Sequence, residues 1–84
     1  MLLFRVQPVF PAAARHARLT GHVAVQAIIG LDGTVESAEI LRSTNPLFDD
    51  ASLEAVRQWR YRPVVLDGRP VRVYFTVLVE FTLR

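Results

Sequence analysis

The chain has 84 residues, a length that holds one hydrophobic core and excludes a second domain. With 51% apolar and 21% charged residues the composition excludes disorder, and the lack of cysteine excludes disulfides and thiolate metal sites. The formal charge is +2, and the ten basic side chains, all arginine, are spread along the chain among eight acids. That reads as a solvated mixed-sign surface and argues against a nucleic-acid partner, since so modest a charge releases few counterions.

Residues 1–10 read as an extended segment, because Pro8 and Pro11 restrict the residues before them. Met1 to Phe4 is too short for the apolar stretch of a signal peptide, and no run reaches the ~18 apolar residues needed to cross a bilayer. The expectation is either a cytoplasmic domain or a piece of a longer, anchored chain. Pro11 suits the first position of a helix, and the alanines that follow favour one over 11–19, ended by Gly21.

From His22 the apolar period becomes two, which predicts a strand over 22–30 with Val23, Val25, Ala27 and Ile29 on one face. Asp32-Gly33 signals a hairpin into a second strand over 34–42. There the alternation slips by one near Glu36-Ser37, and a β-bulge would restore Val35, Ala38 and Ile40 to a common face. A second helix is expected over 47–60, capped by Asn45 or Asp49, with Phe48, Ser52, Ala55, Val56 and Trp59 on its apolar face and a weak Glu54–Arg57 pair on the other. Pro63 ends it and Asp67-Gly68 makes a second turn. The strongest alternation then runs over 71–83 and predicts a long strand with one buried face.

These elements imply an α+β fold of topology α-β-β-α-β. A hairpin followed by a crossover helix places the first strand between the other two, giving a three-stranded antiparallel sheet of order 2-1-3 with both helices on one face. The last strand then lies at an edge without bulge, proline or inward charge, so it either pairs with its own copy or accepts a partner strand. A proline at Val77 is expected to abolish peptide binding through strain and obstruction of that edge, and to destabilise the domain as well.

Nothing in the chain resembles a catalytic centre. His16 and His22 have no carboxylate or second imidazole at ligand spacing, Asp49-Asp50 suits a helix start, and the glycines are isolated turn formers. No enzyme activity, cofactor or metal is expected.

Four stretches in order, QPVFPAAARHARLTGHV, LDGTV, NPLFDDASLEAVRQWRYRP and DGRPVRVYFTVLVEF, resemble the C-terminal domain of the TonB family of energy transducers over nearly the whole chain. The resemblance implies a single periplasmic domain over 1–84, tethered to the inner membrane and driven by an ExbB–ExbD complex through an N-terminal region absent from this chain. It implies that the TonB box of an outer-membrane transporter is added as a strand along Val73, Tyr74, Phe75, Thr76, Val77, Leu78 and Val79, with Gln7 and Pro8 nearby. Trp59 and Tyr61 match the family's aromatic pair, read as structural. A TolA-like periplasmic adaptor and a self-pairing homodimer are the alternatives.

Overall fold

The computed structural model describes residues 2–83. In chain order its elements are β1 (Leu2–Phe4), α1 (Ala12–His16), β2 (Gly21–Ile29), β3 (Val35–Ser43), a 3-10 turn (Pro46–Phe48), α2 (Asp49–Arg57), β4 (Arg60–Tyr61), β5 (Val64–Leu66), β6 (Arg69–Val71) and β7 (Val73–Phe81). The long strands form one antiparallel sheet in the order β3-β2-β7, so the first of them is central and the last lies at an edge. The expected α+β architecture is thus present, and four short strands are added to it.

One face of the sheet carries the core. Val23, Val25 and Ala27 of β2 lie beneath Ala14 of α1 and beneath Phe48, Val56 and Trp59, all fully or almost fully buried. Each of these valines, like Phe48, contributes about 1.5–3 kcal/mol of burial. Phe10, Phe48 and Phe81 close one end as an aromatic trio, with Phe48 stacked on Phe81 at 4.5 Å and Phe10 edge-on to both. The apolar stripe read from the sequence, Phe48 to Trp59, is buried at every position, including Ser52, whose hydroxyl donates to the Phe48 carbonyl at 2.8 Å.

Several boundaries differ from expectation, each for a local reason. The first helix covers Ala12–His16 and stops short of residue 19 and well before Gly21. Its end is a Schellman motif: Leu19 N–H donates to the Ala14 carbonyl and Arg18 N–H to the Arg15 carbonyl. Arg18 sits at φ 56°, the left-handed position usually given to glycine. The second helix ends at Arg57, so Trp59 lies beyond it and Arg60–Tyr61 turn into β4. Neither Asn45 nor Asp49 caps this helix, whose cap position is Phe48 without a side-chain bond; Asn45 caps the 3-10 turn before it, its side chain accepting from Leu47 N–H at 2.9 Å. The Glu54–Arg57 pair is not formed; among the described residues the ion pair found joins Arg72 to Glu36 at 2.8 Å.

The segment expected to be merely extended contains β1, which pairs with β4 through Leu2 opposite Tyr61 and Phe4 opposite Arg60. The strand expected over 71–83 begins at Val73, because residues 69–71 fold back on 64–66 as a separate two-stranded ribbon. The ribbon turns at Asp67 and Gly68, both at positive φ (51° and 78°), the backbone of a type I′ turn. The other Asp-Gly behaves differently. Gly30 donates to Thr34 and accepts from Gly33, so residues 31–33 form a three-residue loop with Gly33 alone left-handed at φ 87°.

In β3 the bulge foreseen near Glu36-Ser37 is present: Ile28 pairs with Ser37 and Ile29 with Val35, leaving Glu36 extra. A second, unforeseen bulge leaves out Leu41, between the pairs Ala24–Arg42 and Val25–Ile40. Together they keep Val35, Ala38 and Ile40 on the helix side while Glu36, Glu39 and Leu41 stay exposed.

Candidate functional site

The site begins with the direction of main-chain groups in β2. Gly30 N–H donates to Thr34, the Gly30 carbonyl accepts from Gly33, and the His22 carbonyl accepts from Thr44, so even-numbered residues at both ends turn their polar groups toward β3. Between them β2 pairs with β7 over nine consecutive residues without a shift. In an antiparallel ladder the direction alternates residue by residue. Val23, Val25, Ala27 and Ile29 therefore turn theirs toward β7, where they face Val79, Val77, Phe75 and Val73.

It follows that Tyr74, Thr76, Leu78 and Glu80 direct their N–H and C=O groups away from β2, toward a side where no strand pairs among the described residues. The same four side chains project on the helix-free face, with Tyr74 71% and Leu78 58% exposed. Beside Tyr74 on that face lies a shallow cleft of about 240 Å³ shared with Gln26, Ile28, Ser37, Ala38 and Glu39. The edge is framed by charge: the Arg72–Glu36 pair precedes Val73, and Glu80 faces His22 across the ladder.

Of the seven strand residues singled out from the sequence, the structure brings all into β7 but divides their roles. Tyr74, Thr76 and Leu78 offer free main-chain groups, while Val73, Phe75, Val77 and Val79 have theirs turned to β2 and their side chains toward the helices. A proline at Val77 therefore strikes the internal ladder to Val25, so strain and destabilisation outweigh obstruction of the edge among the effects expected of it. Glu80 extends the free edge beyond the expected Val79. Sequence alternation shows which side chains share a face; it does not show which edge a main-chain group serves. That depends on the loop at residues 31–33.

Gln7 and Pro8 are held in the helix layer. Val6 on one side accepts from Trp59 Nε1 at 3.0 Å, and Phe10 on the other packs on Phe81, while Gln7 lines a small cleft with Ala51, Glu54, Ala55 and Gln58 of α2. The aromatic pair splits likewise. Trp59 is 5% exposed and lies under the Arg5 guanidinium at 5.3 Å; Tyr61 packs edge-on against Phe75 of β7 at 4.8 Å while its N–H donates to Gly33. Burial pushes the Tyr61 phenol above its ordinary range. In the hairpin loop the Thr34 hydroxyl and N–H both donate to Asp32 and hold its carboxyl below the usual range. Among the described residues no group of three metal-ligating side chains comes together.

Fold and edge together define a small α+β domain that presents an open-sided antiparallel sheet with a helix-covered core. The family model described as Gram-negative bacterial TonB protein C-terminal matches residues 6–83. Protein TonB of Vibrio cholerae is 31% identical over 94% of this chain and 33% of its own length; that of Klebsiella pneumoniae is 38% identical over 94% and 31%. The solution structure of the Pseudomonas aeruginosa TonB C-terminal domain superposes with a TM-score of 0.80 at 27% identity, covering 99% of this chain and 85% of that one. The TonB2 structure from Vibrio anguillarum gives 0.73 at 28% identity over 100% and 81%. The chain belongs to the TonB C-terminal domain family, that of the TonB-type energy transducers, and it spans about a third of the length of these curated relatives.

Proposed function

We propose that the free edge of β7 takes up an extended peptide, the TonB box of a TonB-dependent outer-membrane transporter, as a fourth strand of the sheet. On this reading the domain works in the periplasm as part of a longer chain held in the inner membrane, and it relays work from the ExbB–ExbD complex to the transporter. The observation that supports it is the unbulged stretch Tyr74–Glu80, whose outward main-chain groups have no strand beside them among the described residues. Four to six added hydrogen bonds at about 0.5–1.5 kcal/mol each, less the cost of ordering the peptide, correspond to roughly micromolar affinity. Gln7 and Pro8 are proposed to meet the peptide from the helix layer. No catalytic step is involved.

Titration with transporter-derived peptides, followed through backbone amide shifts, tests this. The largest shifts are expected at the N–H groups of Tyr74, Thr76, Leu78 and Glu80, with smaller ones at the intervening residues. Shifts centred on β3, or none at β7, overturn the reading. The same edge could pair with a second copy, so sedimentation over a range of concentrations belongs with the titration: a stable dimer that peptide does not dissociate assigns the edge to self-pairing.

A further inference from the structure

The arginines are scattered in the sequence, but the fold gathers exposed apolar side chains at one end. β1 pairs with β4, β4 is bonded to the 31–33 loop through Tyr61 and Gly33, and β5 follows two residues later. This brings together Leu2, Leu3, Phe4, Leu31, Val65 and Leu66, each at least 38% exposed. Within the same end Arg62 and Arg69 are exposed and make no ion pair among the described residues, whereas the neighbouring acids are Asp32, already held by Thr34, and Asp67 at the ribbon turn. The end also projects. Nine-residue strands reach about 30 Å, while the Cα atoms extend over 50 Å by 21 Å by 16 Å. β6 is separated from β7 only by Arg72, so the ribbon carries the long axis onward.

We infer that this end is a docking surface for an anionic lipid bilayer, touched by the β5–β6 ribbon and β1 together. Exposed aliphatic side chains flanked by unpaired arginines suit the boundary between headgroups and acyl chains, where long cationic side chains reach lipid phosphates while their stems stay apolar. A second protein copy would have to match both arginines with acids, and of the two neighbouring acids Asp32 is already held by Thr34, so charge favours the lipid. The surface lies beyond the Val73 end of β7 rather than along its free edge, and its test is independent of the peptide reading.

The experiment is co-sedimentation of the intact chain with vesicles of phosphatidylcholine, alone or with about a quarter phosphatidylglycerol. Binding is expected only with the anionic vesicles. It should be lost between 0.1 M and 1 M salt, where the screening length falls from about 10 Å to about 3 Å. Arg62→Gln and Arg69→Gln should each weaken it roughly fivefold, and Leu66→Asp should weaken it further, with unchanged amide spectra in the main sheet. Arg15→Gln and Arg42→Gln, away from this end, should leave it unchanged. Failure to bind anionic vesicles overturns the inference, as does equal sensitivity to the distant arginines. A dimer that Leu66→Asp dissociates, with no vesicle binding, assigns the surface to a second copy instead.

Discussion

The two edges of the sheet are built in opposite ways. β3 carries two bulges, at Glu36 and Leu41, and its start is closed by a bridge from Thr34 to Arg60, beyond which β1 lies on β4. β7 has none of this: nine residues in unbroken register with β2, and outward groups that nothing pairs among the described residues. Bulges, charges and covering segments are how natural sheets keep edges from pairing with foreign strands. One sheet thus holds a blunted edge and an open one, and the contrast marks β7 as the side kept available.

The largest expected effect separates internal from outward positions within β7. Val77→Pro removes a ladder bond to Val25 and should cost about 3 kcal/mol or more, a large share of the few kcal/mol by which so small a domain is stable. Leu78→Pro removes an N–H that faces the free edge, where proline is tolerated, so the fold should survive at a cost of about 1 kcal/mol or less. Peptide binding should nevertheless be lost. Urea unfolding and peptide titration of both variants decide the point; equal destabilisation by the two prolines would show that the main-chain directions assigned to β7 are wrong.

A second variant acts on the closed edge. Gly33 is at φ 87°, and a Cβ built there runs into the Tyr61 carbonyl, so Gly33→Ala should destabilise by about 3 kcal/mol and loosen β4 from the start of β3. Amide exchange at Tyr61 should rise more than anywhere in β7. Faster exchange in β7 instead would mean that the two edges are not separately secured.

A smaller effect is expected from Leu78→Lys, which gives β7 the kind of charge that blunts edges elsewhere. Leu78 is 58% exposed, so stability should change by no more than about 0.5 kcal/mol. Loss of its apolar contact should weaken the peptide roughly fivefold. Unchanged affinity would confine recognition to the main chain.

The contrast between the edges was half legible in the sequence. Period-two alternation shows β2 and β7 plainly, and the slip at Glu36 shows one bulge, because the polar pair Glu36-Ser37 interrupts the apolar series. The bulge at Leu41 is hidden, since Ile40 and Leu41 are both apolar and either fits the inner face. β4, β5 and β6 have two or three residues each, too few for a period to register, and Pro63 reads only as a helix stop. The left-handed Arg18 is equally invisible, because the position that ends α1 is fixed by carbonyls of Ala14 and Arg15 and carries no glycine to announce it. The apolar stripe from Phe48 to Trp59 is legible as packing. Which strand edge is free in terms of individual N–H groups is not, because it follows from hydrogen bonds in a three-residue loop far away in sequence.

Tyr61 is where the two edges meet: its N–H holds the β3 side at Gly33, and its ring lies on Phe75 of β7. Burial raises its phenol above the ordinary value near 10. A group whose folded value is raised keeps its proton longer in the folded state, so its contribution is intact below pH 10 and declines as pH climbs from there through the folded value. Because the ring is only partly buried, the decline should be shallow. Tyr61→Phe keeps both the main-chain bond to Gly33 and the ring contact with Phe75 but has no phenol to titrate, so urea midpoints measured from pH 8 to 12 should lose that decline. If the variant keeps it, the alkaline weakness lies in another group and Tyr61 joins the edges through packing alone.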